Sequence, residues 1–142
     1  MPSGRPTVCR AIRGATTARA NTSEDILEAT TEMLETIFAL NDVDIDDVVS
    51  GFFTTTTDLT ATFPAVAARE VGLDNVALMC AHEMDVPGSL RSCVRVMLHV
   101  NTSALPREIK HVYLHGAIQL RPEWGREPAQ RALQRERVET AP

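Results

Sequence analysis

Lysine is almost missing from these 142 residues: of 14 basic side chains only Lys110 is a lysine, and the other thirteen are arginines. Basic residues are also outnumbered, 14 against 19 acids for a net charge of −5. The broad basic face that non-specific nucleic-acid binding uses is therefore absent. No apolar run approaches the roughly 18 to 20 residues of a membrane span. Residues 1–14 lack the apolar core of a secretory signal, which points to the cytoplasm. Cysteines are few and odd in number, and Cys9, Cys80 and Cys93 have no C-x-x-C spacing. That argues against a disulfide framework and against a zinc ribbon. Nucleophile-elbow, P-loop, G-x-G-x-x-G and H-E-x-x-H patterns are missing too, which removes several common reaction classes.

What is present is ordinary in bulk. A hydrophobic fraction of 44% with 23% charged residues fits a globular domain, and a chain of this length buries roughly 68% of its unfolded surface in one core. Arginine in place of lysine has two explanations. One is the codon bias of a GC-rich genome, which Ala-rich stretches such as residues 65–68 support. The other is recognition of carboxylates, because guanidinium forks match them bidentately and keep their charge when buried.

Along the chain, residues 1–7 form a loose Pro/Gly/Ser leader. Val8 to Ile12 reads as a strand ending in a turn over Arg13 to Thr17. A helix is predicted from about Thr22 to Leu40, with cap oxygens from Asn21 and Thr22, acids Glu24 and Asp25 in the first turn, and a stripe of Ile26, Leu27, Met33, Leu34, Ile37 and Leu40. A second strand covers Val48 to Thr55, a short helix follows Pro64 over Ala65 to Val71, and Val76 to Cys80 is a third strand. The fourth alternates, Val94, Val96, Leu98 and Val100 against Cys93, Arg95, Met97 and His99. A fifth is expected over His111 to Leu120. His111 and His115, four apart on that strand, would lie about 13 Å apart, too far for a metal pair. Residues 1–122 then make one α+β domain, a mixed β-sheet of about five strands packed on one long helix, and residues 123–142 a mobile tail. One long helix is little cover for five strands, so part of the sheet is expected to meet another subunit.

Arg13, Glu83, Arg95 and Tyr113, the one tyrosine, are polar residues placed at or within strands, and together they suggest a site. The blocks around them are Arg10-Ala11-Ile12-Arg13-Gly14-Ala15-Thr16-Thr17, Thr57-Asp58-Leu59 with Phe63-Pro64-Ala65, Cys80-Ala81-His82-Glu83-Met84-Asp85-Val86, Cys93-Val94-Arg95-Val96-Met97, and His111-Val112-Tyr113-Leu114 with Leu120-Arg121-Pro122. In order and spacing, across about residues 8–122, they resemble the monofunctional chorismate mutases of the AroH class.

The resemblance implies a homotrimer, a pseudo-α/β barrel with active sites between adjacent subunits, converting chorismate to prephenate with no cofactor and no metal. Arg95 would stabilise charge on the breaking ether oxygen, and Glu83 would accept a hydrogen bond from the ring hydroxyl with Cys80 beside it. Arg13 and Tyr113 would hold the side-chain carboxylate. Phe63 and Arg69 would reach in from the neighbouring subunit, and Arg121 would close the cleft. Small imine deaminases share a similar trimeric arrangement, and composition alone also allows a module that binds acidic metabolites. The set Glu83, Arg95 and Tyr113 separates the mutase from both.

Where some relatives carry lysine after Phe-Pro-Ala, this chain has Val66, which removes one source of positive potential at the cleft mouth. Val66→Lys should therefore lower KM for the dianionic substrate at low salt, with the difference shrinking as salt is added. A KM for the variant equal to or above that of the wild type would contradict this.

Overall fold

Thr22 starts the long helix as its sequence predicts. Its hydroxyl accepts the Asp25 N–H at 3.1 Å from an extended backbone, and Glu24 and Asp25 complement the positive end of the helix. Asp42, in the left-handed region at φ 51°, turns the chain out of the helix. The computed structural model describes residues 4–125. The elements run β1 (Val8–Thr17), α1 (Ser23–Asn41), β2 (Val48–Thr55), α2 (Ala65–Glu70), β3 (Ala77–His82), β4 (Cys93–Thr102) and β5 (Val112–Tyr113).

The five strands form one mixed sheet in the order β3-β2-β4-β1-β5. β4 pairs antiparallel with both β1 and β2, while β3 lies parallel to β2 and β5 parallel to β1. One face is covered by α1. Ile26, Met33, Leu34 and Ile37 pack there against Ile12, Phe53, Val94, Val96 and Leu98, all 2% exposed or less. Of the expected stripe, Leu27 and Leu40 are only partly buried, and Ala29, Thr30 and Thr36 complete the buried face.

The other face is open over much of its area. Its middle row runs Met79, Phe52, Met97, Arg13 across four strands, and the three apolar members are 68%, 45% and 37% exposed. Only toward β5 does a second, smaller core form, from Ala15, Cys93, Tyr113 and Ala117.

Three expectations change. The turn over Arg13 to Thr17 is strand: β1 continues to Thr17, because Gly14 lets α1 approach where a side chain would collide. A Cβ there would lie 2.8 Å from Ile37 Cδ1 and 3.2 Å from Met33 Cγ. The fifth strand is only two residues long. His115 takes a positive φ of 53° and the chain winds into a 3-10 turn over His115–Leu120, so the strand spacing used for His111 and His115 does not apply. His111 Nδ1 instead accepts the Arg13 N–H at 3.0 Å, and His115 pairs with Glu32 at 2.8 Å.

Residues 123–125, expected in the loose tail, are also built into the fold. Pro122–Trp124 is a 3-10 turn, and the Trp124 ring stacks 4.2 Å from His111. The rest of that tail, with Arg126, Arg131, Arg135 and Arg137, lies outside the described residues, as do residues 1–3 of the leader. Arg5, within the leader, pairs with Glu108 at 2.8 Å.

The close helix crossing at Gly14 gives a test. Gly14→Val puts three carbons into space held by Ile37 and Met33, and overpacking of this kind should destabilise the protein by about 1 to 3 kcal/mol. Urea unfolding midpoints would measure it, and an unchanged midpoint would mean that α1 has slack over β1.

Candidate active site

Alternation along the strands decides which side chains can meet. Thr54 pairs with Arg95, Arg95 with Ala15, and Ala15 with Tyr113. The four therefore lie in one row on the face away from α1, beside the Met79-Phe52-Met97-Arg13 row, with Ala15 and Tyr113 covered by the second core. Glu83 enters from the end of β3, where its N–H donates to Thr55 O at 2.8 Å. Its carboxylate turns back onto the row: Oε2 accepts the Thr54 hydroxyl at 2.6 Å and lies 3.6 Å from Arg95 Nε. Arg13 stands diagonal to Arg95 on the same face, a step at which long side chains can reach each other's neighbourhood.

Three buried side-chain polar atoms lack a hydrogen-bond partner among the described residues, and two of them are Arg95 Nε and the Tyr113 hydroxyl. A buried donor left unpaired costs about 1 to 3 kcal/mol. Two in one row, separated by Ala15, therefore mark a place that a polar ligand would relieve. Cys93 lies beside Arg95 with no exposed surface. Burial pushes its thiol pKa up, with the Arg95 guanidinium opposing, so it is a neutral packing group rather than a nucleophile.

The structure thus brings together Arg13, Glu83, Arg95 and Tyr113. The other four expected residues are placed differently. Cys80 pairs with Phe53 in register and packs partly on the main core, toward the helix side of the sheet. Phe63 is 68% exposed ahead of α2, and Arg69 is exposed on that helix, which packs on α1. Arg121 is held at the β5 end, its guanidinium 3.6 Å above the Trp124 ring and its Nε 2.6 Å from Glu123. Trp124 in turn lies 5.6 Å from the Tyr113 ring.

Sequence reasoning missed the support beneath this row. Asp58 accepts the Ser92 N–H at 2.9 Å and its hydroxyl at 3.1 Å, and also the Thr56 hydroxyl. Thr56 Oγ1 accepts the Cys93 N–H at 3.0 Å. Arg91 ties Asp85 and Thr57 to the same corner. These bonds fix Ser92, at φ 55°, and with it the start of β4 two residues before Arg95. The Thr-Asp pattern after β2 was the available signal, since such residues bond to nearby backbone.

Burial alone would raise the pKa of Asp58, but the bonds from Thr56 and Ser92 outweigh it and hold it below the ordinary value. A depressed folded-state pKa contributes stability that is present above the unfolded value and lost as pH falls through the folded one. With 32% of the side chain exposed, Asp58→Ala should cost about 1.5 kcal/mol at neutral pH, the lower end for bonds to a charged group. The gap to wild type should hold down to the ordinary Asp pKa of about 3.9 and narrow below it. Urea melts across that range check it, and a gap that widens in acid would refute the assignment.

A family model described as chorismate mutase type I matches residues 9–124. The chain is 45% identical over 115 residues to a protein named chorismate mutase AroH from Bacillus subtilis, covering 80% of this chain and 91% of that one. It is 42% identical over 115 residues to its namesake from Thermus thermophilus, covering 80% and 94%. A solved chorismate mutase from Clostridium thermocellum superposes with a TM-score of 0.75 at 52% identity, covering 76% of this chain and 96% of that one.

Proposed function

The chain belongs to the type I chorismate mutase family and is an isomerase that converts chorismate to prephenate, and we propose that it does so with the Thr54-to-Tyr113 row of the open sheet face and with Glu83. Membership displaces the imine-deaminase-like and metabolite-binding readings. The observation that carries the site is the pair of buried donors on Arg95 and Tyr113 that have no hydrogen-bond partner among the described residues.

The rearrangement is a unimolecular [3,3] shift. An ether C–O bond breaks before the new C–C bond is complete, so negative charge develops on the ether oxygen. A cation already fixed at that point stabilises the transition state more than the substrate. Arg95 is that cation. One such donor in a dry site supplies about 2.7 to 4 kcal/mol, whereas a 10⁶-fold acceleration needs about 8 kcal/mol. The remainder comes from holding the enolpyruvyl arm over the ring in its compact conformer.

Holding it requires grips on a dianion. Arg13 and the Tyr113 hydroxyl bind the side-chain carboxylate, and Glu83 accepts from the ring hydroxyl. Arg121, braced on Trp124, closes over the ring carboxylate. Phe63 and Arg69 come from a neighbouring subunit of a homotrimer. The exposed Met79-Phe52-Met97 row, adjacent to the site row, supports that assembly, because an apolar strip of this kind is buried when sheets meet. Cys80, which faces the helix side of the sheet, is left out of the cleft. A cytoplasmic setting accords with the free cysteines, and no helix among the described residues is long and apolar enough to cross a membrane.

Purified protein incubated with chorismate should consume its ultraviolet absorbance and yield prephenate, and sedimentation should give a trimer. Arg95→Lys should lower kcat by roughly 10² to 10³. Absence of turnover in the wild type would refute the activity, whereas full kcat in Arg95→Lys would refute only the electrostatic role.

A further inference from the structure

β2 is the strand that separates the two charged members of the site, with Glu83 at the end of β3 on one side and Arg95 in β4 on the other. Thr54 is the β2 residue between them, alongside Ala81 on β3 and opposite Arg95 on β4. Its hydroxyl donates to Glu83 Oε2 at 2.6 Å, while Arg95 Nε stays 3.6 Å from that same oxygen. A charge-assisted N–H···O bond closes to about 2.7 to 2.9 Å. Both side chains are partly buried, at 23% and 30% exposure, where attraction between opposite charges is stronger than in open water. A shorter, hydrogen-bonded pair is therefore within reach of these two ion-paired side chains, and the Thr54 hydroxyl competes with it.

Such a pair would damage the chemistry in two ways. It would neutralise the cation on which the developing ether-oxygen charge depends, and it would draw the guanidinium off its line. We propose that Thr54 is a positioning residue for the rearrangement: its hydroxyl holds the Glu83 carboxylate on the β2 side and so keeps Arg95 free to act on substrate. The inference rests on the roles given to Arg95 and Glu83 above. Two features make Thr54 suited to it. A β-branched side chain has few χ1 choices, so the hydroxyl keeps its direction. The backbone bond from Glu83 N–H to Thr55 O, 2.8 Å long, fixes the height of the carboxylate above the strand.

The test compares Thr54→Val, which keeps the shape and removes the hydroxyl, with Thr54→Ser, which keeps the hydroxyl. Loss of a hydrogen bond to a charged group should lower kcat of Thr54→Val about tenfold to a hundredfold. KM should stay within about threefold, because the loss falls on the transition state. Thr54→Ser should recover most of kcat. A general loosening of the strand would instead raise KM and lower the melting temperature in both variants. Should Thr54→Val fail to fold, Thr54→Ser against Thr54→Ala poses the same question, since these two differ only in the hydroxyl. Wild-type kcat in the variant lacking the hydroxyl, or no recovery by serine, overturns the proposal. If the wild type itself left chorismate unchanged, it would be the functional reading that failed, and the two failures are thus distinct.

Discussion

The pairing of β1 with β4 governs the rest of the structure. It runs without a bulge from Val8 opposite Thr102 to Thr17 opposite Cys93, and it sets which side chains of the two longest strands face the helix. Ile12 and Leu98 go to the core, and Arg13, Ala15, Arg95 and Met97 to the open side. Because side chains alternate with a period of two, a slip of one residue on either strand would turn its arginine into the apolar layer under α1. The ladder that makes the core thereby also lays out the proposed site, and the strong preference of the core for one register protects both.

Within that frame the electrostatics are local. The net charge of −5 opposes capture of a dianion, yet the charges that matter lie within a few strand spacings of one another on a partly buried face. Ala15, between Arg95 and Tyr113, contributes by being small: fully buried itself, it puts no long side chain between two polar atoms that have no hydrogen-bond partner among the described residues. Six of the thirteen arginines divide accordingly. Arg13 and Arg95 share the open face, Arg121 stacks on Trp124, and Arg5, Arg19 and Arg91 make ordinary surface ion pairs, which contribute little to stability.

Legibility in the sequence followed the range of the interactions. α1 and β2 could be read almost to the residue, because caps and periodicity are local signals. β1 beyond Ile12 could not, because Gly14 serves a helix crossing rather than a turn, and only the fold reveals the crossing. The collapse of the fifth strand into a 3-10 turn depends on His115 at positive φ, a conformation no pattern announced. Arg13, Glu83, Arg95 and Tyr113, the residues of the proposed site, stood out from their unusual positions together with the family resemblance. Thr54 could not, since it acts through a partner set by strand pairing, and Asp58 showed only as part of a Thr-Asp pattern whose bonds to the loop corner the fold reveals.

The same ladder has a consequence in time. Both neighbours of β1, namely β4 and β5, are made long after it, and Thr17 waits for Cys93 as Val8 waits for Thr102. At a synthesis rate of roughly 5 to 20 residues per second, the first strand and the apolar side of α1 remain without their sheet for on the order of ten seconds. Contacts so distant in sequence also make closure slow once the chain is whole. The nascent chain therefore passes through a period in which Ile12, Met33 and Ile37 have nothing to cover them. In that interval the exposed apolar surface is open to misassociation, which the native packing later removes.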